Sequence, residues 1–417
     1  MRKIIINGNK KLNGIVNISG SKNESLAVMC GALLSDDKVI LRNVPNIKDV
    51  SIMKDLIDEI GYKVKSSDKI IINPPSNKKL EINEQASEIR NSILLLGPLT
   101  AKYGRVIIPL PGGCSIGNRP INFHIEGLKK LGAKIKIING LIHSEAEKLV
   151  GAKIRLDFPS VGATCNLMMA ASLAKGETKI FNSAKEPEVQ NLAKFLNQMG
   201  AEIKGIGTDT LIIQGKKELS GTEYSIKPDR IETITYMILG SFPMNKINIR
   251  NTVKEDLSEV IETLKRMGVF INCKNNEIMV EGRTNQLKST AIIAKPHPGF
   301  PTDALTLITP LLSYAKGISK ITDKVFPERF SYIKELNKMG ANTQQLEYNS
   351  VKIMGSHQLF GAKVSCHDLR GGMALVLAGL FAKGETIIED VHYINRGYEN
   401  YIEKLQSLGA DIKQETY

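Results

Sequence analysis

The chain's 417 residues are enough for two or three domains with full cores, and 42% apolar with 24% charged content is ordinary for a soluble globular protein. A formal charge of +13 points to anionic partners such as nucleic acid, an acidic membrane surface or phosphorylated small molecules, although the lysines form no tail and a solvated surface accounts for most of the excess. Five cysteines, no two closer than 51 residues, give neither a disulfide framework nor a zinc spacing and suit a reducing cytoplasm, while the lack of Trp argues against base-stacking platforms for single strands.

The chain opens on Met1-Arg2-Lys3-Ile4-Ile5-Ile6, an apolar run too short for a signal peptide. Residues 3–14 resemble residues 211–221, a pair of strands about a turn, but no helix precedes them. A unit of helix, strand, helix, strand, strand then recurs six times. Its strand marker falls at 38–42, 105–109, 178–182, 246–251, 319–323 and 386–390. Its second helix ends on Gly61, Gly132, Gly200, Gly268, Gly340 and Gly409, spaced 68 to 72 residues apart, where a helix takes a left-handed cap. The longest apolar runs, such as 373–382, are too short to span a membrane. The sixth unit stops at Tyr417, before the strands that 211–221 supply in the third, so residues 1–20 are expected to close it. The pattern predicts a mixed-sheet α/β fold in two similar domains of three units: 21–229, and 230–417 completed by 1–20. A crevice between two such domains is a natural ligand site.

In the second unit, residues 109–120 read Pro-Leu-Pro-Gly-Gly-Cys-Ser-Ile-Gly-Asn-Arg-Pro between a strand and a helix starting near Asn122. Prolines stiffen its entry and glycines loosen its middle. Cys114 sits at the tip and Arg119 five residues on. A mobile lid that brings a thiol to a bound anion has this composition, and so has a surface loop with an inert cysteine.

Unusual residues collect where each unit's first helix begins: Ser21-Lys22-Asn23-Glu24, Glu88-Ile89-Arg90-Asn91, Ser160-Val161-Gly162, Asp229-Arg230, Thr302-Asp303 and Asp368-Leu369-Arg370. Capping suffices for Asn23 and Thr302. It does not explain Lys22, Arg90, Arg230 and Arg370, because a cation at a helix N-terminus is slightly unfavourable unless an anion joins it. Asp303, behind the stiff Pro296-His297-Pro298-Gly299-Phe300-Pro301 run, is a candidate general base or a plain cap. Arg396 lies on a loop matching the place of the Cys114 loop. Of six histidines only His124 stands in a motif, and no pair has metal-ligand spacing, so no metal is expected. No Walker loop or dinucleotide fingerprint occurs.

With the 111–120 loop, the Ser19-Gly20-Ser21-Lys22-Asn23 run and Arg396-Gly397-Tyr398 in place, the chain resembles the UDP-N-acetylglucosamine 1-carboxyvinyltransferase family of enolpyruvyl transferases over nearly its whole length. The resemblance implies two inside-out α/β domains, each of three repeated α/β units. It also implies transfer of the enolpyruvyl group of phosphoenolpyruvate to the 3-hydroxyl of UDP-N-acetylglucosamine, by a cytoplasmic monomer using no cofactor and no nucleic acid or membrane partner. By motif match, Lys22 and Asn23 hold phosphoenolpyruvate, Arg119 and Arg396 its phosphate, and Arg329 and Arg370 its carboxylate. Cys114 protonates the methylene carbon and is alkylated by phosphonate epoxides such as fosfomycin, and Asp303 takes the sugar hydroxyl proton. Arg90, Arg119, Pro120, Ile121, Asn122, Phe123, Ser160, Val161, Gly162, Asp303 and Val325 line the nucleotide-sugar site, with Asp229 and Asp368 near its centre. The family has Asp where this chain has Asn122, and often a basic residue at Phe158, both in the uridine region. The alternatives are a sister transferase with another hydroxyl acceptor, and a non-catalytic repeat protein binding anionic polymers such as RNA. The combined Lys22, Cys114, Arg119, Asp303, Arg370 and Arg396 set argues against the latter.

Overall fold

The computed structural model describes residues 2–112, 120–283 and 287–416. Its building block is clearest in the fifth repeat. Strand Ala291–Ala294 leads into helix Thr302–Tyr314, strand Ile318–Asp323, helix Tyr332–Lys338 and the hairpin Asn342–Glu347 with Ser350–Met354. The leading strand pairs in parallel with the second (Ile292 opposite Ile321), which pairs antiparallel with the last (Ile321 opposite Val351). Alternate residues, Ile292, Ile321, Val351 and Ile353, are buried, as the two-residue period of a half-covered sheet requires. Gly340 ends the outer helix at φ +89°, and the other five glycines of the series sit between +97° and +110°.

The inner helix follows a different rule. Every residue from 304 to 313 is buried, so the helix has no wet face and no amphipathic stripe. Helix Leu369–Phe381 is buried along its whole length, and helix Arg230–Ser241 from Ile231 onward. Helix Thr302–Tyr314 packs against both of them. In this part of the chain these three inner helices form the interior.

Two strands leave their own repeats. Asn13–Asn17 precedes helix Lys22–Ala32 in the chain but pairs with Lys246–Arg250, and Glu223–Ser225 precedes helix Arg230–Ser241 but pairs with Val39–Arg42. Among the described residues, the chain accordingly forms one compact unit from 20–112 with 120–227 and another from 2–19 with 228–416. In the latter, Arg2–Asn7 lies between Glu385–Glu389 and Asp411–Thr416.

The second repeat departs from the others. Its sheet, Arg105–Pro109, Leu141–Glu145 and Lys134–Ile138, has three strands, and Glu81 makes a lone bridge to Ile107. Its inner helix, Leu96–Tyr103, is preceded by a 3-10 turn, Arg90–Leu95, with no side-chain cap at Ile89. Arg90 therefore stands on that turn and not at an α-helix N-terminus, because no capping residue precedes it.

Candidate active site

In the unit that begins at Gly20, the first turn of helix Lys22–Ala32 is held side chain by side chain. Ser21 is its cap, accepting from the Glu24 amide at 3.3 Å. Lys22, 8% exposed, makes a 2.8 Å ion pair with the buried Asp49. Asn23 donates to Glu188 Oε1 at 3.4 Å, and so does not cap. Ser21 takes the capping role because it stands one residue before the first turn, where a short side chain can fold back.

Around the 113–119 loop, only the stems are described; Cys114 and Arg119 lie outside the described residues. On the entry side, Arg90 Nη1 donates to the Pro111 carbonyl at 3.4 Å and Gly112 N to Ser87 O at 3.1 Å. A Cβ at Gly112 would sit 2.5 Å from that Ser87 oxygen, which explains the glycine. On the exit side, exposed Pro120 and half-buried Ile121 lead into helix Asn122–Lys130, whose Asn122 is exposed and Phe123 half-buried.

Asn166 then ties three elements together. Its Oδ1 accepts from Gly97 N at 2.7 Å, which turns its amide nitrogen to Ile93 O at 3.1 Å and His124 Nδ1 at 2.9 Å. His124 thus accepts at Nδ1 and carries its proton on Nε2. That ring edge lies 3.2 Å from where a Cβ on Gly162 would be. Ser160 caps helix Val161–Ala171, which carries Asn166, accepting from Ala163 N at 3.3 Å, and Val161 and Gly162 form its half-buried first turn.

In the other unit the centre is Asp303. Arg329 Nη1 lies 2.5 Å from Oδ1 and Arg370 Nε 2.9 Å from Oδ2. The two arginine side chains are 5% and 3% exposed. Burial alone would raise the Asp303 pKa; the two guanidiniums outweigh it and hold the carboxyl far below the ordinary range. Arg370 lies over the Tyr398 ring at 5.2 Å, and Tyr398 OH meets Thr235 Oγ1 at 2.8 Å. Asp229 and Asp368 are true caps. Asp229 Oδ1 accepts from Ile231 N and Glu232 N at 2.7 and 2.9 Å, and Asp368 Oδ1 from Arg370 N and Gly371 N at 3.0 Å each. Neither Asp303 nor Thr302 caps its helix. The N-cap position is Pro301, which offers no side-chain acceptor, and Thr302 donates to Asp323 instead. Val325 is half-buried two residues past Asp323, and Arg396 ends the 3-10 turn Val391–Arg396, half-buried.

Asp49, Glu188 and Asp323 escaped the sequence reading. Two of them left a signal. Asp49 shares a stripe with Met53 and Leu56, and Glu188 with Leu192 and Phe195. A carboxylate inside an apolar helical stripe must be paired, since burying it alone is costly.

The family description of EPSP synthase (3-phosphoshikimate 1-carboxyvinyltransferase) matches residues 6–405. Among similar proteins, UDP-N-acetylglucosamine 1-carboxyvinyltransferase 2 of Clostridium tetani is 43% identical over 416 residues, 99% of each chain. UDP-N-acetylglucosamine 1-carboxyvinyltransferase 3 of Caldanaerobacter subterraneus subsp. tengcongensis is 45% identical over 414 residues, again 99% of each. Among solved structures, the enolpyruvyl transferase NikO from Streptomyces tendae superposes with a TM-score of 0.92 at 22% identity, covering 100% of this chain and 99% of that one. EPSP synthase from Acinetobacter baumannii gives 0.80 at 19%, covering all of both. These two likenesses concern the fold.

Proposed function

This chain belongs to the EPSP synthase family and, within it, to the UDP-N-acetylglucosamine 1-carboxyvinyltransferases, and from that premise we propose which residues carry its reaction. The enzyme binds phosphoenolpyruvate and UDP-N-acetylglucosamine, transfers the enolpyruvyl group to the sugar 3-hydroxyl and releases phosphate, the first committed step of peptidoglycan synthesis.

In our reading, the Cys114 thiol gives its proton to the methylene carbon of phosphoenolpyruvate. The sugar oxygen bonds to C2 and Asp303 takes the hydroxyl proton. The resulting ketal carries phosphate and carboxylate on one carbon. Loss of a proton from the new methyl group and of phosphate from C2 then leaves the enol ether. Lys22, Asn23, Arg119 and Arg396 hold the phosphate end, Arg329 and Arg370 the carboxylate. Arg90, the 119–123 segment, Ser160, Val161, Gly162 and Val325 hold the nucleotide sugar, with Asp229 and Asp368 fixing the helix starts beside it.

The observation that supports this most is the Asp303 carboxylate between two buried guanidiniums. Held there it is a poor base. A substrate carboxylate and phosphate offer the same guanidiniums competing anions; once they turn to the substrate, burial drives the Asp303 pKa upward and the carboxylate becomes a useful base. Among the described residues, no helix is long and apolar enough to cross a membrane. We read the protein as a cytoplasmic monomer of two domains, 21–229 and 230–417 with 1–20, that needs no cofactor or nucleic acid.

The test is phosphate release from phosphoenolpyruvate with and without UDP-N-acetylglucosamine. Release that depends on the nucleotide sugar supports the assignment. No release with it, and release with another hydroxyl acceptor, would overturn the acceptor and put the weight on the Asn122 and Phe158 departures.

A further inference from the structure

Asp323 closes strand Ile318–Asp323, which is bonded on both sides, to Ala291–Ala294 and to Ser350–Met354. Its amide is fixed to Asn349 O at 2.9 Å, so its Cα is an immovable post. Asp323 is 1% exposed, and its carboxylate faces three donors. Oδ1 accepts from Val325 N and Phe326 N, each at 2.8 Å, and Oδ2 from Thr302 Oγ1 at 2.5 Å. Thr302 Oγ1 in turn receives Arg329 Nη1 at 3.4 Å, the same nitrogen that contacts Asp303. Arg329 N turns back to Phe326 O at 3.1 Å. One carboxylate therefore fixes both the start of the loop carrying Val325 and Arg329 and the first residue of the helix carrying Asp303.

We infer that Asp323 and Thr302 are positioning residues that latch the 324–329 loop against Asp303, setting the angle from which Asp303 meets the acceptor hydroxyl. This rests on the reading of Asp303 as the proton acceptor. Chemistry explains the choice of residues. Two backbone N–H groups and one hydroxyl need an acceptor with spare lone pairs, which a carboxylate supplies and a carboxamide does not. The helix has no cap of its own at Pro301, so this latch replaces the cap that other repeats have at Ser21, Ser160, Asp229 and Asp368. A latch replaces a cap here because its second end must reach the loop.

The experiment is steady-state phosphate release by the full chain with phosphoenolpyruvate and UDP-N-acetylglucosamine both saturating, for wild type, Thr302→Val, Thr302→Ser, Asp323→Asn and the Thr302→Val/Asp323→Asn double variant, with Tm measured alongside. Hydrogen bonds to a charged group convert to a loss of about tenfold or more in kcat for Thr302→Val and for Asp323→Asn. The double variant should be no slower than the slower single one, and Thr302→Ser should recover most of the loss. Additive losses, a kcat unchanged at saturation while only Tm falls, or Thr302→Ser as slow as Thr302→Val would each overturn the inference. If Asp323→Asn fails to fold, the valine–serine pair at 302 decides alone. A wild type that releases no phosphate with both substrates present would instead refute the reading of the reaction, and the latch with it.

Discussion

Asp303 Oδ2 accepts from Arg370 Nε at 2.9 Å, joining the first turns of two inner helices 67 residues apart in sequence. With Arg329 on the other oxygen, one carboxylate faces two buried cations. Asp229 also acts electrostatically on Arg370, and Arg329 on Asp323, so the two guanidiniums belong to a network of carboxylates centred on Asp303.

Asp303→Asn leaves both guanidiniums without that carboxylate and should lower stability at neutral pH by on the order of 3 kcal/mol. Inorganic phosphate or phosphoenolpyruvate should raise the Tm of the variant more than that of wild type, because a bound anion replaces the lost charge. The folded-state pKa of Asp303 is depressed, so its contribution is present above the unfolded value of about 3.9 and fades as pH falls below it. The gap between wild type and variant should therefore close in acid. Equal anion shifts in both proteins would contradict this.

Asp49→Asn removes the buried counter-charge at 2.8 Å from Lys22. We expect a KM for phosphoenolpyruvate raised by about tenfold with the KM for UDP-N-acetylglucosamine little changed, since the pair orients the ammonium that holds the phosphate. Initial-rate kinetics with each substrate varied in turn measure it. Equal rises in both constants would remove the orienting role.

Glu24 gives a pH signature. Burial lifts its pKa to about 7, while bonds from Asn191, the Lys227 amide and Tyr224 pull it down and Glu188 pushes it up. A carboxyl with a raised folded pKa stabilises most below about 4.5 and loses that contribution as pH rises through about 7. Glu24→Gln should thus gain on wild type between pH 5 and 8, by up to about 3 kcal/mol in urea unfolding. A constant difference across that range would show that Glu24 does not titrate there. In the other unit Glu232, also lifted to about 7 by burial, takes the Ser19 amide at 2.9 Å and Lys404 at 2.6 Å. Ser19 and Lys227, the two backbone positions so held, are, among the described residues, positions at which the chain passes between its compact units.

Cys114 is tested covalently. A phosphonate epoxide should add to the protein once, with the mass increase on the peptide containing Cys114, and turnover should fall in proportion. Cys114→Asp should keep turnover and escape the reagent, because a carboxyl also delivers a proton but is the weaker nucleophile. Labelling on Cys273, the half-buried thiol, with activity retained would refute the role.

The repeat was legible because its glycines announce themselves: a left-handed residue closing an apolar helix is a local rule, and Gly61 to Gly409 obey it six times. Lys22 and Arg370 stood out because a cation at a helix N-terminus is slightly unfavourable, and Asp303 because a stiff proline-rich run precedes it. Their partners did not, because pairing is set by contacts that sequence spacing does not encode. Asp49 lies 27 residues from Lys22, and Asp303 lies 26 and 67 residues from its arginines. Assigning Thr302 and Asn23 to capping failed for one reason. Composition names the residues that cap, but the backbone decides which one stands one step before the first turn, and there it chose Ser21 and Pro301. Arg90 was misplaced because the second repeat starts its inner helix on a 3-10 turn.

The most direct test of the account is the single-turnover rate of enolpyruvyl transfer by Asp303→Asn, rapidly quenched with both substrates saturating. A general base contributes about a hundredfold or more, so the variant should bind both substrates yet transfer at least about a hundred times more slowly than wild type. A transfer rate within a few-fold of wild type would show that the carboxylate between Arg329 and Arg370 is not what takes the proton from the sugar.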